Sequence, residues 1–185
     1  MLNDALIDLQ HAQVSKVYGK YAGKVIDNQD PLNLGRLQVS CAAVLGDAKV
    51  WARPCVPYAG PGVGMFFLPP KGAGVWVEFE GGVPGRPIWV GCYWNSGELP
   101  ADASTPDTKL IITDTASLKI DDQQGEVKLS NHNEASTTWA QDIKAEAGNA
   151  THTVGAAGVV SEASPGKVEV GASGVSINSG AFTVS

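Results

Sequence analysis

Two glutamates on one strand face, Glu78 and Glu80, are the nearest this chain comes to a hydrolytic pair. Glycoside hydrolysis needs two carboxylates about 5 to 9.5 Å apart across a cleft, and same-face glutamates are more often a solvated surface. Cys41, Cys55 and Cys92 form no CxxC pair and leave one thiol unpaired under any intramolecular scheme, so they read as reduced, mostly buried small apolar residues. His11, His132 and His152 lie far from the cysteines and from one another, with none of the short spacings that zinc sites favour. No GxSxG, HExxH or P-loop pattern occurs, and no serine or cysteine has an identifiable basic partner. The expectation is a protein without catalytic residues, metal or cofactor, and not an enzyme.

Binding chemistry is the remaining possibility. Trp51, Trp76, Trp89 and Trp94 fall in one block, where they serve packing or stack on a ligand or another subunit. Lys24, Arg36, Lys49, Arg53, Lys71 and Arg86 could form a basic patch beside them, which is the composition of a single-stranded nucleic-acid binder. The charge opposes that reading: 13 Lys and Arg stand against 19 Asp and Glu, a net charge of -6. Such a surface repels phosphates, and oligomerisation multiplies the repulsion. No nucleic-acid partner is expected.

The elements that must position these residues follow from spacing. Leu2, Leu6 and Leu9 recur at four and three residues with Asp4, Asp8 and Gln10 between them, which predicts a short amphipathic N-terminal helix. Residues 1–20 form a docking segment, placed either on the chain's own domain or on a partner. Between Tyr21 and Tyr93 five strands alternate with Gly and Pro clusters: Tyr21–Asp27, Gly35–Ser40, Val50–Pro54, Gly74–Glu80 and Pro87–Tyr93. Val75, Val77 and Phe79 share one face, so the strands close around one core, and residues 21–94 are expected to be a small barrel of the OB type. Residues 95–108, polar and holding two prolines, are a linker. No stretch approaches the roughly 20 apolar residues of a membrane span, and Met1–Asp4 lacks the basic start of a secretion signal. Assembly in the cytoplasm is the expectation.

From residue 109 to 185 apolar pairs recur. Leu110/Ile112, Leu118/Ile120 and Val127/Leu129 are followed, after a less regular middle at 130–164, by Val168/Val170, Val175/Ile177 and Phe182/Val184 at strict seven-residue spacing. Glu169, Ser176 and Thr183 hold the intervening outward positions. Each repeat offers two inward side chains, worth roughly 1.5 to 3 kcal/mol apiece when buried, against about 1 to 2 kcal/mol of backbone entropy per residue fixed. Rungs this short cannot close around a core of their own, whereas three chains could each supply one side of a triangle. The fold class is therefore all-β: a small OB-fold barrel followed by a triple-stranded, intertwined, homotrimeric β-helix whose core is these twelve residues. An antiparallel meander would use the same alternation and leave long edges open.

At this point the chain resembles the central spike proteins of contractile phage tails and related injection systems, the gpV-like and VgrG-like baseplate proteins. The residues that carry the resemblance run in order: Gly23-Lys24-Val25, Asp30-Pro31, Gly35-Arg36-Leu37-Gln38-Val39, Trp51-Ala52-Arg53, Pro57, Ala59-Gly60, Gly74–Gly81, Arg86-Pro87 and Gly91. The resemblance implies an OB-fold collar on a trimeric, membrane-piercing spike. Such a spike is mounted on a hub protein of the tail baseplate, in a virion or injection-system particle, and touches the target cell envelope transiently. Docking on the hub would fall to Leu2, Leu6 and Leu9.

Two departures limit what is carried over. Relatives with a lysozyme-like insert have it where this chain has only the linker, so no wall-degrading activity is implied. Relatives that bind a metal at the tip do so through a His-x-His motif, and this chain ends Gly180–Ser185 without histidine. The repeat runs almost to the last residue, so a separate PAAR-type tip protein is expected to cap Phe182, Thr183, Val184 and Ser185. A β-helical receptor-binding fibre or adhesin is the alternative, but outward positions dominated by Ser, Thr, Gly, Asn and Glu suit a smooth shaft.

Overall fold

The computed structural model describes residues 16–103 and 105–184. The N-terminal helix expected around Leu2, Leu6 and Leu9, and the C-terminal Ser185, lie outside the described residues. Among the described residues no helix is long and apolar enough to cross a membrane. The chain divides into two compact units, Met1–Glu98 and Leu99–Ser185.

The first unit is built on five strands: β1 (Tyr21–Asp27), β2 (Leu37–Ser40), β3 (Lys49–Pro54), β6 (Gly74–Phe79) and β7 (Pro87–Tyr93). They close into a barrel in the order β1-β2-β3-β7-β6, with all neighbours antiparallel except the β3–β7 pair. Alternation chooses the core, as period-two side chains must. Val25, Leu37, Val39, Ala52, Val75, Val77, Phe79 and Trp89 are buried, and Cys41 fills the remaining volume. Gly74 is glycine because the Tyr93 ring lies over it; an added Cβ would stand 2.5 Å from that ring. Tyr93 also packs against Trp76, with ring centroids 4.8 Å apart and planes tilted by 46°, and donates its hydroxyl to the Gly23 carbonyl.

Two elements of this unit carry no periodic signal. A single turn of helix, α1 (Ala42–Leu45), follows β2 and stops at Gly46, whose φ of 56° few other residues adopt. The glycine-rich loop after β3 closes as a small hairpin, β4 (Ala59–Gly60) with β5 (Val63–Gly64).

The second unit is one sheet of ten strands: β8 (Thr108–Ile112), β9 (Ala116–Asp121), β10 (Glu126–Asn131), β11 (Ala135–Trp139), β12 (Ile143–Ala147), β13 (Ala150–Gly155), β14 (Gly158–Ala163), β15 (Gly166–Gly171), β16 (Gly174–Ile177) and β17 (Phe182–Val184). Each strand pairs antiparallel with the next along the chain. The reason is local. Two-residue connections such as Gly148-Asn149, Ala156-Ala157 and Ala172-Ser173 reverse the chain within one hairpin. The meander that shares the solenoid's alternation is thus what one chain forms, and its ladder bonds are met within that chain. Gly155, Gly158, Gly171 and Gly174 line up across four strands, and a Cβ at Gly158 would fall 2.0 Å from the Val170 carbonyl oxygen. The irregular middle of the sequence is occupied by β11 to β14 in unbroken register.

Candidate functional site

Among the described residues no buried hydrophobic residue lies in the second unit, and those that are buried belong to the barrel unit. A sheet with polar and apolar faces is stable only when the apolar one is covered. The uncovered apolar face of this sheet is the candidate functional site.

Directly paired residues in an antiparallel ladder share a face, so the register sorts the side chains. One column on the inner face reads Ile120, Val127, Trp139, Ile143, Val154, Val159, Val170 and Val175, and its one polar member is Lys109, opposite Ile120 on β8. The middle column reads Leu118, Leu129, Thr137, Ala145, His152, Ser161, Val168, Ile177 and Phe182. A third column is small: Ala135, Ala147, Ala150, Ala163 and Gly166. Leu129, Trp139, Ile143 and Phe182 are each more than half exposed.

The opposite face carries Lys119, Lys128, Lys144, Glu146, Lys167 and Glu169 among serines and threonines. Lys119–Asp121, Lys144–Glu146 and Lys167–Glu169 pair along single strands at 2.7 to 3.2 Å. Surface pairs of this kind contribute little stability; their effect is to keep that face wet.

The structure brings Leu118, Ile120, Val127, Leu129, Val168, Val170, Val175, Ile177 and Phe182 to the inner face together, and pairs the Val184 backbone with Val175. It places Leu110 and Ile112 on the other face, opposite Lys119 and Ser117, and puts Ile111 inward opposite Leu118. Three consecutive apolar residues admit either phase, and the turn decides. Thr113 accepts the Ala116 amide on its hydroxyl, and its own amide binds the Ala116 carbonyl, which sets Ile112 against Ser117. At the far end β17 pairs only with β16, and the Phe182 side chain is exposed there.

The barrel's candidate chemistry resolves into pairs. Lys20 donates to Glu78 at 2.5 Å, while Glu80 lies beyond β6 and faces Arg53 at 3.5 Å, so each glutamate has its own cation. Of the basic set, Arg36, Arg53 and Lys71 are engaged by Asp30, Glu80 and Asp27. Trp89 is buried and its indole N–H donates to the Gly35 carbonyl; Trp51 has the Arg36 guanidinium over its ring at 5.3 Å. Burial pushes the Cys41 thiol up in pKa. Cys55 and Cys92 are exposed, which departs from the expectation of mostly buried thiols.

Asp30 holds the loop that the sequence marks by Asp30-Pro31 and Gly35-Arg36. Its carboxylate accepts the Leu32, Leu34 and Arg36 amides and a 2.6 Å bond from the Arg36 guanidinium, with almost no exposed surface. The guanidinium, then the backbone amides, hold Asp30 far below the usual carboxylate range. A depressed folded pKa gives stability that is complete above the unfolded pKa, about 3.9, and is lost as pH falls through the folded one. Thermal melts should therefore show a gap between the wild type and Asp30→Asn that is constant at neutral pH and narrows below about pH 4. A gap unchanged down to about pH 2 would show that the carboxylate does not clamp the loop.

Sequence reasoning missed one surface on the barrel. Leu34, Val63, Met65, Phe66 and Phe67 are exposed around a groove of about 330 Å³ floored by Pro54, Val56 and Trp89. The run Met65-Phe66-Phe67-Leu68 between Gly and Pro clusters was the available signal.

Residues 21–94 match the family model of the Type VI secretion system/phage-baseplate injector OB domain. The match begins with the first strand of the closed barrel and ends one residue past its last, so the barrel is an OB domain similar to those of phage-baseplate and Type VI secretion injectors. No curated protein matches the chain.

Proposed function

We propose that this chain is the membrane-piercing spike of a contractile tail or injection-system particle, and that three copies close around their inner faces. The observation that carries the reading is the ten-stranded sheet, apolar on one face and without a buried residue among those described, following an injector OB domain. Exposed apolar surface on this scale marks an interaction site, and each chain's sheet supplies one side of a three-sided shaft. The outer face is mostly Lys, Glu, Ser and Thr with short ion pairs along its strands, its apolar members being Leu110, Ile112 and Val160, and so largely polar a surface suits passage through an envelope.

Work is done by the sheath and tube; the spike contributes rigidity and catalyses no reaction. The apolar groove beside Phe66 and Phe67 suits docking on a hub protein above, together with the leucines of the N-terminal segment. The unpaired outer edge of β17 suits a PAAR-type cap below, because an edge strand offers free backbone groups. Gold-labelled antibody against the barrel should mark the distal end of purified particles. Label along the fibres or at the capsid would contradict the placement.

A further inference from the structure

The middle column of the inner face has one polar interruption. Thr137, Ala145, His152 and Ser161 stand at successive rungs where every other rung carries Leu, Val, Ile or Phe. This break is why the repeat is hard to follow through residues 130–164. His152 Nδ1 lies 2.7 Å from Ser161 Oγ. Its neighbour across the ladder is Ala145, and the adjacent inner positions on β13 are Ala150 and Val154, so the ring stands among small and apolar groups.

Three sheets closing face-inward aim their middle columns at the common axis. We infer that the three His152 imidazoles converge there and hold a divalent transition-metal ion through Nε2. The inference rests on the three-chain reading above.

In one chain His152 is exposed, and closure of three sheets encloses its imidazole. Taken out of water, both ring nitrogens need partners. Ser161 serves Nδ1, and among the described residues Nε2 has no hydrogen-bond partner. With the hydrogen on Nδ1, donated to Ser161, the Nε2 lone pair is left to face the axis, and such an outer bond orients metal-binding histidines. Three converging lone pairs call for an electrophile, and three imidazole nitrogens with an open fourth position suit zinc, cobalt or nickel. Among the described residues of one chain no cluster of three or more metal-ligating side chains exists. A site taking one ligand from each of three chains leaves no spacing signature in the sequence.

The test uses tag-free, full-length protein stripped with chelator, its mass fixed by light scattering, then titrated with cobalt(II). The expected result is a trimer binding about one cobalt per three chains, with the intense visible bands of a near-tetrahedral site. His152→Val, which extends the apolar column, should keep the trimer and lose cobalt uptake to background; His152→Gln should lose it too, and His132→Ala should retain it. A wild-type trimer that binds no cobalt, or a His152→Val trimer that still does, overturns the metal site and leaves the spike standing. A wild-type mass other than three chains overturns the spike assembly and the site with it.

Discussion

Val175→Asp, or Ile177→Asp, is expected to convert an assembly that survives SDS without boiling into free chains. Val175 pairs with Val170 and Val184, and Ile177 with Val168 and Phe182, so both sit inside the apolar columns. In one chain they are only half-buried, so the substitution costs the isolated sheet little. Closure changes that, because each substitution then brings three carboxylates together in an apolar interior. The penalty for removing an unpaired ion from water is several kcal/mol each, before their mutual repulsion. Ser176→Asp, between the two positions but on the outer face opposite Glu169 and Thr183, should leave SDS resistance intact. Unboiled gels of the three variants read the difference directly. Equal loss in all three would mean that the faces are not sorted as the register sorts them.

Trp89→Ala should cost the barrel about 3 to 5 kcal/mol, as large aromatic truncations in cores do. That is a large share of the 5 to 15 kcal/mol typical of a whole protein. Trp89 is 4% exposed and contributes three things at once. Its ring fills the core, its indole N–H ties down Gly35, and its carbonyl accepts the Cys55 amide just past the parallel contact where β3 meets β7. Trp89→Phe keeps most of the volume and loses the indole bond, so it should lie well above Trp89→Ala in urea midpoint. The groove beside Phe66 and Phe67 has Trp89 in its floor, so any partner captured by the barrel should be lost with Trp89→Ala. Equal midpoints for the wild type and Trp89→Ala would mean that the ring is not part of the core.

The barrel was legible because a closed core forces strict alternation. Strands expected at Tyr21–Asp27 and Pro87–Tyr93 occur with those bounds, and Val75, Val77 and Phe79 are the buried side of their strand. The α1 turn and the β4–β5 hairpin were not legible, since elements of four and two residues contain no full period. The repeats announced strands and an inward face, but equal spacing serves a solenoid corner and a hairpin reversal alike. Only the two-residue connections distinguish them, and they depend on backbone geometry more than on residue type. At β8 the phase was lost because Leu110-Ile111-Ile112 reads equally well in both registers, and Thr113 chose between them. In β11 to β14 the middle column turns polar, which hid the repeat while leaving its register whole.

What one chain leaves available to hold copies together is side-chain packing of the inner face, since its ladder bonds, except at the two outer edges, are already made. The number of chains therefore decides the account. Light scattering on the purified full-length protein, run with its size-exclusion peak, should give three times the chain mass at every concentration tested. A mass of one chain would leave the apolar face uncovered and contradict the spike reading; a mass of two would describe a sandwich of two sheets and contradict the three-sided shaft.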